Sequence, residues 1–310
     1  MLSLFKPRAR HSDGKVFVVA EIGKNFIQTQ KERPLNEYLR NALALIDAAA
    51  DAGVDAVKFQ THTLADEQLP IRIVSPHFKG AERYEWIRRN EAATPMSFWR
   101  AIKRRAEERG VLFFSTPMSR GAAEKLSRVG VPLWKVGSGD ATDFLLLEYL
   151  CRTKKPIIIS TGMVSYQELD NVVAFLTRRR ARFAILYCVS EYPAPARAFN
   201  LGSIDALRAR YPGVHIGFSD HSVGNHDIPL AAAKLGARII EKHFSLSRDF
   251  WGSDHKVSLT PSEIKDLVAR LRAGEHTRAP TKAYYGRKNT ELAGATNRFR
   301  PYFHKALVAA

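Results

Sequence analysis

Short apolar runs recur along the chain, each ending in polar residues and most followed by a stretch of helical spacing. The runs are VFVVAE (16–21), DAVKFQ (55–60), VLFFST (111–116), PLWKVG (132–137), PIIIST (156–161), FAILYC (183–188), VHIGFS (214–219) and RIIEKH (238–243). Runs this short, rich in Val, Ile and Phe, predict buried strands. Between them, NEYLRNALALIDAAADAG (36–53), FWRAIKRRAEERG (98–110) and DIPLAAAKLGA (227–237) carry apolar residues three and four apart, the helical period. Gly closes several of these helices, as a C-terminal cap does. Eight strands alternating with helices predict an α/β fold, a (β/α)8 TIM barrel. An open doubly wound sheet is the competitor, but it would carry a Gly-rich dinucleotide turn after its first strand, where this chain reads AEIGKN. The segment 61–97 interrupts the rhythm and is expected to pack over the barrel mouth. The expected organisation is a barrel domain over residues 1–272 and a basic tail over 273–310, too short for a second domain.

Barrel enzymes place their chemistry at the C-terminal ends of the strands. With side chains alternating along each strand, nearly every strand delivers a polar residue there: Glu21, Lys58 with Gln60, Thr116, Lys135 followed by Ser138 and Asp140, Ser190 with Tyr192, Ser219-Asp220-His221, and Glu241 with His243. Any one of these is matched by an ordinary solvated strand end. The recurrence across the barrel is harder to explain so, because barrel interiors favour Val, Ile and Leu, and a buried lysine must be paired or bind an anion. Lys58, Lys135, Thr116, Ser138 and Ser219 are cations and hydroxyl donors. With the backbone N–H groups of VGSGD they suit a phosphate or a carboxylate. His221 and His243 come from adjacent strands and could share one metal ion such as Mn, Zn, Co or Fe; each alone is equally well a hydrogen-bonded loop histidine. Asp220 either orients His221 or caps its own loop.

Composition narrows the class. The formal charge is +17, from 48 basic and 31 acidic residues. The basic residues are spread over helical stretches with no nucleic-acid motif beside them, so an anionic small substrate is the expected use of the field, not nucleic acid. No apolar run reaches the roughly 18 residues of a membrane span. The N-terminus has no apolar signal-peptide core, and two cysteines make no disulfide framework, which together lead to the expectation of a cytoplasmic protein.

In order, AEIGKN, DAVKFQT, FFSTPMS, WKVGSGD, IISTGM, YCVSEYP, GFSDHS and EKHF resemble the motifs of the sialic acid synthase family, whose members include N-acetylneuraminate, legionaminate and pseudaminate synthases. The resemblance covers roughly residues 15–272. It implies condensation of phosphoenolpyruvate (PEP) with an N-acetylated amino sugar, with a divalent metal, Mn2+ or Mg2+, as cofactor. It implies metal ligation by His221 and His243, PEP contacts at Lys58, Thr116, Lys135, Ser138, Ser190 and Ser219, sugar contacts at Gln60, Tyr192 and Asp254, and a reaction centre at Glu21 and Glu241. It also implies a homodimer.

Four departures from the family pattern stand out. Phe26 follows Asn25 where His is usual, Ser190 replaces an Asn, and Trp251-Gly252-Ser253-Asp254 stands for Pro-Gly-Pro-Asp. The family's C-terminal antifreeze-like domain, which lends an Arg to the partner's sugar site, has no counterpart after the linker-like TNRFRPYFHKALVAA. Arg83, Arg88 and Arg89 in the 61–97 segment are candidates for that anchoring role. Two other readings of the barrel are a Schiff-base aldolase using Lys58 or Lys135 without metal, and a sugar-binding barrel without turnover.

Overall fold

The structure, a computed structural model, describes residues 15–70, 82–224, 226–286 and 292. Eight parallel strands form one sheet: β1 (Phe17–Gly23), β2 (Ala56–Thr61), β3 (Leu112–Pro117), β4 (Trp134–Val136), β5 (Ile157–Ser160), β6 (Phe183–Cys188), β7 (His215–Asp220) and β8 (Ile239–His243). The ladder runs β3-β2-β1-β8-β7-β6-β5-β4, and β3 and β4 stand against each other at the closing seam. This is a (β/α)8 TIM barrel, each strand lying where the apolar runs placed it. The helices are α1 (Leu35–Asp51), α2 (Leu64–Glu67), α3 (Arg83–Ala92), α4 (Met96–Glu108), α5 (Arg120–Val129), α6 (Phe144–Arg152), α7 (Tyr166–Arg178), α8 (Gly202–Arg210), α9 (Asp227–Lys234), α10 (Ser253–Lys256) and α11 (Pro261–Arg272).

Alternation along the strands produces two cores. Outward residues such as Val18, Phe59, Phe113, Trp134, Ile159 and Phe218 pack under the helices in one large cluster. Inward residues Val19, Ala56, Phe114, Leu133, Ile158, Ala184, Leu186 and Ile239 form a second, smaller cluster inside the barrel. Burying each large apolar side chain contributes roughly 1.5–3 kcal/mol. The inner cluster fills the lower barrel like the packed layers of other barrels. Gly217 belongs to this level: a Cβ there would sit 2.5 Å from Leu186 Cδ2 and 2.6 Å from the Ile239 carbonyl oxygen. One step up each strand, two residues on, the inward positions turn polar: Val19 leads to Glu21, Ala56 to Lys58, Phe114 to Thr116, Leu133 to Lys135, Ile158 to Ser160 and Ile239 to Glu241.

Local chemistry sets the helix ends that frame this core. Ser165 and Glu168 form a capping box at the start of α7, and Thr260 and Glu263 form another on α11, with Pro261 at its first turn. Gly130, at φ 82°, ends α5 in the left-handed conformation. Residues 273–286 lie against the barrel's flank: Lys234 Nζ donates to the Ala279 carbonyl at 3.0 Å, and Leu201 N–H donates to the Tyr284 carbonyl at 2.9 Å. The rest of the expected tail, apart from Leu292, and residues 71–81 of the mouth segment lie outside the described residues. No helix among the described residues is long and apolar enough to cross a membrane.

Candidate active site

The polar level of the barrel opens into a cavity of about 920 Å³, counting space open to solvent. Every candidate drawn from the strand ends except Asp220 lines it: Glu21, Lys58, Gln60, Thr116, Lys135, Ser138, Asp140, Ser190, Tyr192, Ser219, His221, Glu241 and His243, together with Asp254 from α10.

At the bottom, two buried lysines share one carboxylate, Glu241. Lys58 Nζ lies 2.7 Å from Glu21 Oε2 and 3.6 Å from Glu241 Oε1, and donates to Thr116 Oγ1 at 3.1 Å. Lys135 Nζ lies 3.6 Å from the same Glu241 oxygen and donates to Ser160 Oγ at 2.7 Å. Ser219 Oγ donates to Glu241 Oε1 at 3.2 Å, and Gln60 Nε2 donates to Glu21 Oε1 at 2.8 Å. Ser138 Oγ accepts the Gly162 N–H at 3.0 Å. A Cβ at Gly162 would fall 2.3 Å from Ser190 Oγ and 2.9 Å from Ser138 Oγ, so only glycine lets these two hydroxyls converge.

The two glutamates differ. Burial pushes the Glu241 carboxyl up, but Lys135 and Lys58 outweigh it and hold the group down at about 2. Burial dominates at Glu21 and raises it, with the Glu241 charge adding to the effect, against the pull of Lys58. Glu241 is therefore the fixed anion, and Glu21 takes up a proton more readily. Burial, reinforced by the Lys58 charge, lowers Lys135; the Glu241 charge opposes it.

Three rings stand above this floor. The His221 and His243 ring centroids are 5.3 Å apart, and Tyr192 packs on His221 at 4.1 Å and edge-on to His243 at 6.0 Å. His221 Nδ1–H donates to the Val189 carbonyl at 2.6 Å. Among the described residues His243 Nδ1 is buried without a hydrogen-bond partner, and burial lowers the ring's pKa to about 4, so it is neutral at pH 7. Two imidazoles from adjacent strands, the His243 ring among them neutral, are donors that fit a divalent ion. Among the described residues no group of three or more His, Cys, Asp or Glu surrounds a common point, so further ligands would come from substrate or water.

Asp220 does not hold His221. Its carboxylate accepts from Ser222 N–H at 2.8 Å, Ser222 Oγ at 2.9 Å and Lys242 Nζ at 2.7 Å, on the outer side of β7 and β8. Lys242 also donates to Ser222 Oγ at 3.1 Å and to the Ser222 carbonyl, so three acceptors meet its three N–H groups. The loop-capping alternative is the one realised, with an added tie between the two strands that carry the histidines.

The three arginines of the mouth segment part company. Arg83 lines the cavity and donates to Gln68 Oε1 at 2.6 Å. Arg89 is buried in a structural role, donating to the carbonyls of Thr29, Gln30 and Lys31 and to Tyr38 Oη, with its guanidinium 5.3 Å from the Trp251 ring. Arg88 is exposed and pairs with Glu32 and Glu85. Of the three, only Arg83 is placed to anchor a ligand. Phe26 faces away from the mouth, packed among Tyr38, Phe59 and Phe98, while Asn25 donates to the Phe244 carbonyl at 2.8 Å. Lys24, His62 and Trp86 also line the cavity, and Lys24 Nζ sits 5.2 Å over the Trp86 ring. These were not singled out from the sequence. Continuing the alternation of Lys58 and Gln60 by one more step would have pointed to His62.

A cavity floored by lysines, hydroxyls and a fixed carboxylate beneath two histidines, at the C-terminal ends of the strands, has the layout of a barrel enzyme acting on small molecules. Comparison with known proteins sharpens this: residues 45–282 match the NeuB family, and the chain belongs to that family. It is 34% identical over 271 residues to human N-acetylneuraminate-9-phosphate synthase, covering 86% of this chain and 72% of that protein. It is 33% identical over 271 residues to pseudaminic acid synthase of Campylobacter jejuni, covering 86% and 75%. Among solved structures, the N-acetylneuraminic acid synthetase of Leptospira borgpetersenii, in complex with citrate, superposes with a TM-score of 0.71 at 32% identity, covering 84% of this chain and 85% of that one. A truncated 3-deoxy-D-arabino-heptulosonate 7-phosphate synthase from Thermotoga maritima, at 14% identity and TM-score 0.61, shares the fold. The chain is a sialic acid synthase-like enzyme.

Proposed function

We propose that the enzyme condenses PEP with the open-chain aldehyde of an N-acetylated amino sugar to give a nonulosonic acid and phosphate. The observation that carries this reading is the floor of the cavity, where Lys58 and Lys135 both face Glu241 Oε1 at 3.6 Å amid converging hydroxyls. Lys58, Lys135, Thr116, Ser138, Ser190 and Ser219 hold the phosphate and carboxylate of PEP, and Gln60, Tyr192 and Asp254 face the sugar. His221 and His243 would hold a divalent ion, Mn2+ or Mg2+, which when bound supplies Lewis-acid polarisation of the aldehyde.

C3 of PEP attacks the aldehyde carbon, and C2 acquires cationic character. Glu241, held ionised by its lysines, stabilises that charge. Glu21, whose carboxyl burial raises, gives a proton to the aldehyde oxygen as the new hydroxyl forms. Water adds at C2 and passes its proton back to the Glu21 carboxylate; the C2 hydroxyl of this tetrahedral intermediate then gives its proton to the departing phosphate as the C2–O bond breaks and the C2 ketone forms. Lys58 stays beside the departing anion throughout. A homodimer is proposed with this function, in line with the family resemblance.

Phosphate release from PEP, measured with Mn2+ against a panel of N-acetylated hexosamines and 2,4-diacetamido sugars, tests the proposal. Release that depends on one of the sugars is expected; none with any sugar, in folded and metal-loaded protein, sinks it. The lowered Lys135 favours one second reading, a Schiff-base aldolase. Borohydride inactivation in the presence of pyruvate, with indifference to chelators, would support that reading instead.

A further inference from the structure

Lys58, Gln60 and His62 share one face of β2 and its continuation, and all three line the cavity. At about 3.3 Å per residue, His62 stands about 13 Å farther toward the mouth than Lys58 and about 7 Å beyond Gln60. It lies above the anion floor, among the groups that face the upper cavity: Lys24, Arg83 and Trp86.

His62 is 5% exposed, and its Nδ1 lies 2.7 Å from Glu67 Oε2. The other Glu67 oxygen accepts the Thr63 N–H at 2.7 Å, so α2 holds the carboxylate in place. A carboxylate oxygen accepts, so Nδ1 carries the proton, and in the neutral tautomer this selects, Nε2 is the acceptor. Among the described residues that Nε2 is buried without a hydrogen-bond partner. Leaving a buried acceptor unpaired costs stability, and an apolar side chain would pack the same space without that cost. Lys24 and Arg83 can only donate, so an oriented imidazole acceptor adds a kind of contact they do not supply.

We propose that His62, its tautomer set by Glu67, binds the acceptor sugar, with Nε2 accepting a hydrogen bond from a hydroxyl or acetamido N–H. This rests on the synthase reading above. The test is steady-state kinetics of PEP-dependent phosphate release, varying sugar and PEP separately. In His62→Leu the sugar KM rises about ten- to a hundred-fold, as for a hydrogen bond lost in a buried site, while the PEP KM stays within about two-fold. His62→Gln, which returns an acceptor oxygen near the Nε2 position, recovers most of the loss. Glu67→Gln, which releases the tautomer, raises the sugar KM by itself. An unchanged sugar KM in His62→Leu, or an equal rise in the PEP KM, overturns the assignment. Calorimetric binding of the same sugars reads His62 without turnover. Equal affinity in wild type and His62→Leu overturns it there too, whereas absence of phosphate release in the wild type bears on the synthase reading alone.

Discussion

Replacing Lys242 with Met leaves Asp220 a buried carboxylate without its cation. The pair is sealed from solvent, with side chains 1% and 0% exposed. Removing one partner of a buried ion pair costs about 3–5 kcal/mol, because the remaining charge is stranded. Asp220 keeps the two donors of Ser222, so the loss belongs at the lower end, about 3 kcal/mol. At about 2–4 °C per kcal/mol for a chain of this size, the midpoint of thermal unfolding should fall by roughly 6–12 °C. The double variant Asp220→Asn/Lys242→Met removes both charges and should be more stable than Lys242→Met alone. Urea unfolding of the wild type, both single variants and the double variant reads the coupling directly. A Lys242→Met variant within about 1 kcal/mol of wild type, or a double variant equal to the sum of the singles, refutes the claim that this pair ties β7 to β8.

The Arg248 guanidinium and the Thr260 donors hold the Glu263 carboxyl at about 2, against the upward push of burial. A folded pKa below the unfolded value means that this stabilisation is complete above about pH 4.5 and is lost as pH falls toward about 2. Thermal unfolding followed from pH 5 to 2 should therefore drop less steeply in Glu263→Gln, and parallel slopes would refute the coupling. His221→Ala and His243→Ala should each weaken Mn2+ binding in isothermal titration by tenfold or more; wild-type affinity in either variant removes that residue from the metal site.

The barrel was legible because its inward and outward strand faces obey the same two-residue alternation along the whole ring. PIIIST and FAILYC could be assigned as strands from composition alone, and their inward ends fell into place once the barrel was assumed. The fourth strand is only Trp134–Val136, shorter than its apolar run, because Pro132 and Gly137 bracket it. What could not be read was which side of a helix a charge occupies when the helix's own orientation is unknown. Arg83 and Arg89 lie six residues apart on α3, roughly 120° around its axis, so one meets the cavity and the other the β1 loop. His62 escaped for a related reason: its partner Glu67 belongs to a single helical turn, α2, that no periodicity signals. The role of Asp220 was open because two acceptors, Asp220 itself and the Val189 carbonyl, competed for the orientation of His221, and only the folded loop shows that Val189 takes the ring.

The plug of Val19, Phe114, Leu186 and Ile239 has a kinetic consequence. It closes the barrel beneath Lys58 and Lys135, on the side away from Gln60 and His62. On the proposed reaction, the anion that rests on the lysines sits below the sugar and shares its doorway. The molecule that must lie deepest enters first, and phosphate, formed at the bottom, departs after the sugar acid above it has gone. If the reaction is as proposed, the stacking of these levels predicts a queue: ordered addition, with phosphate competing against PEP for the free enzyme.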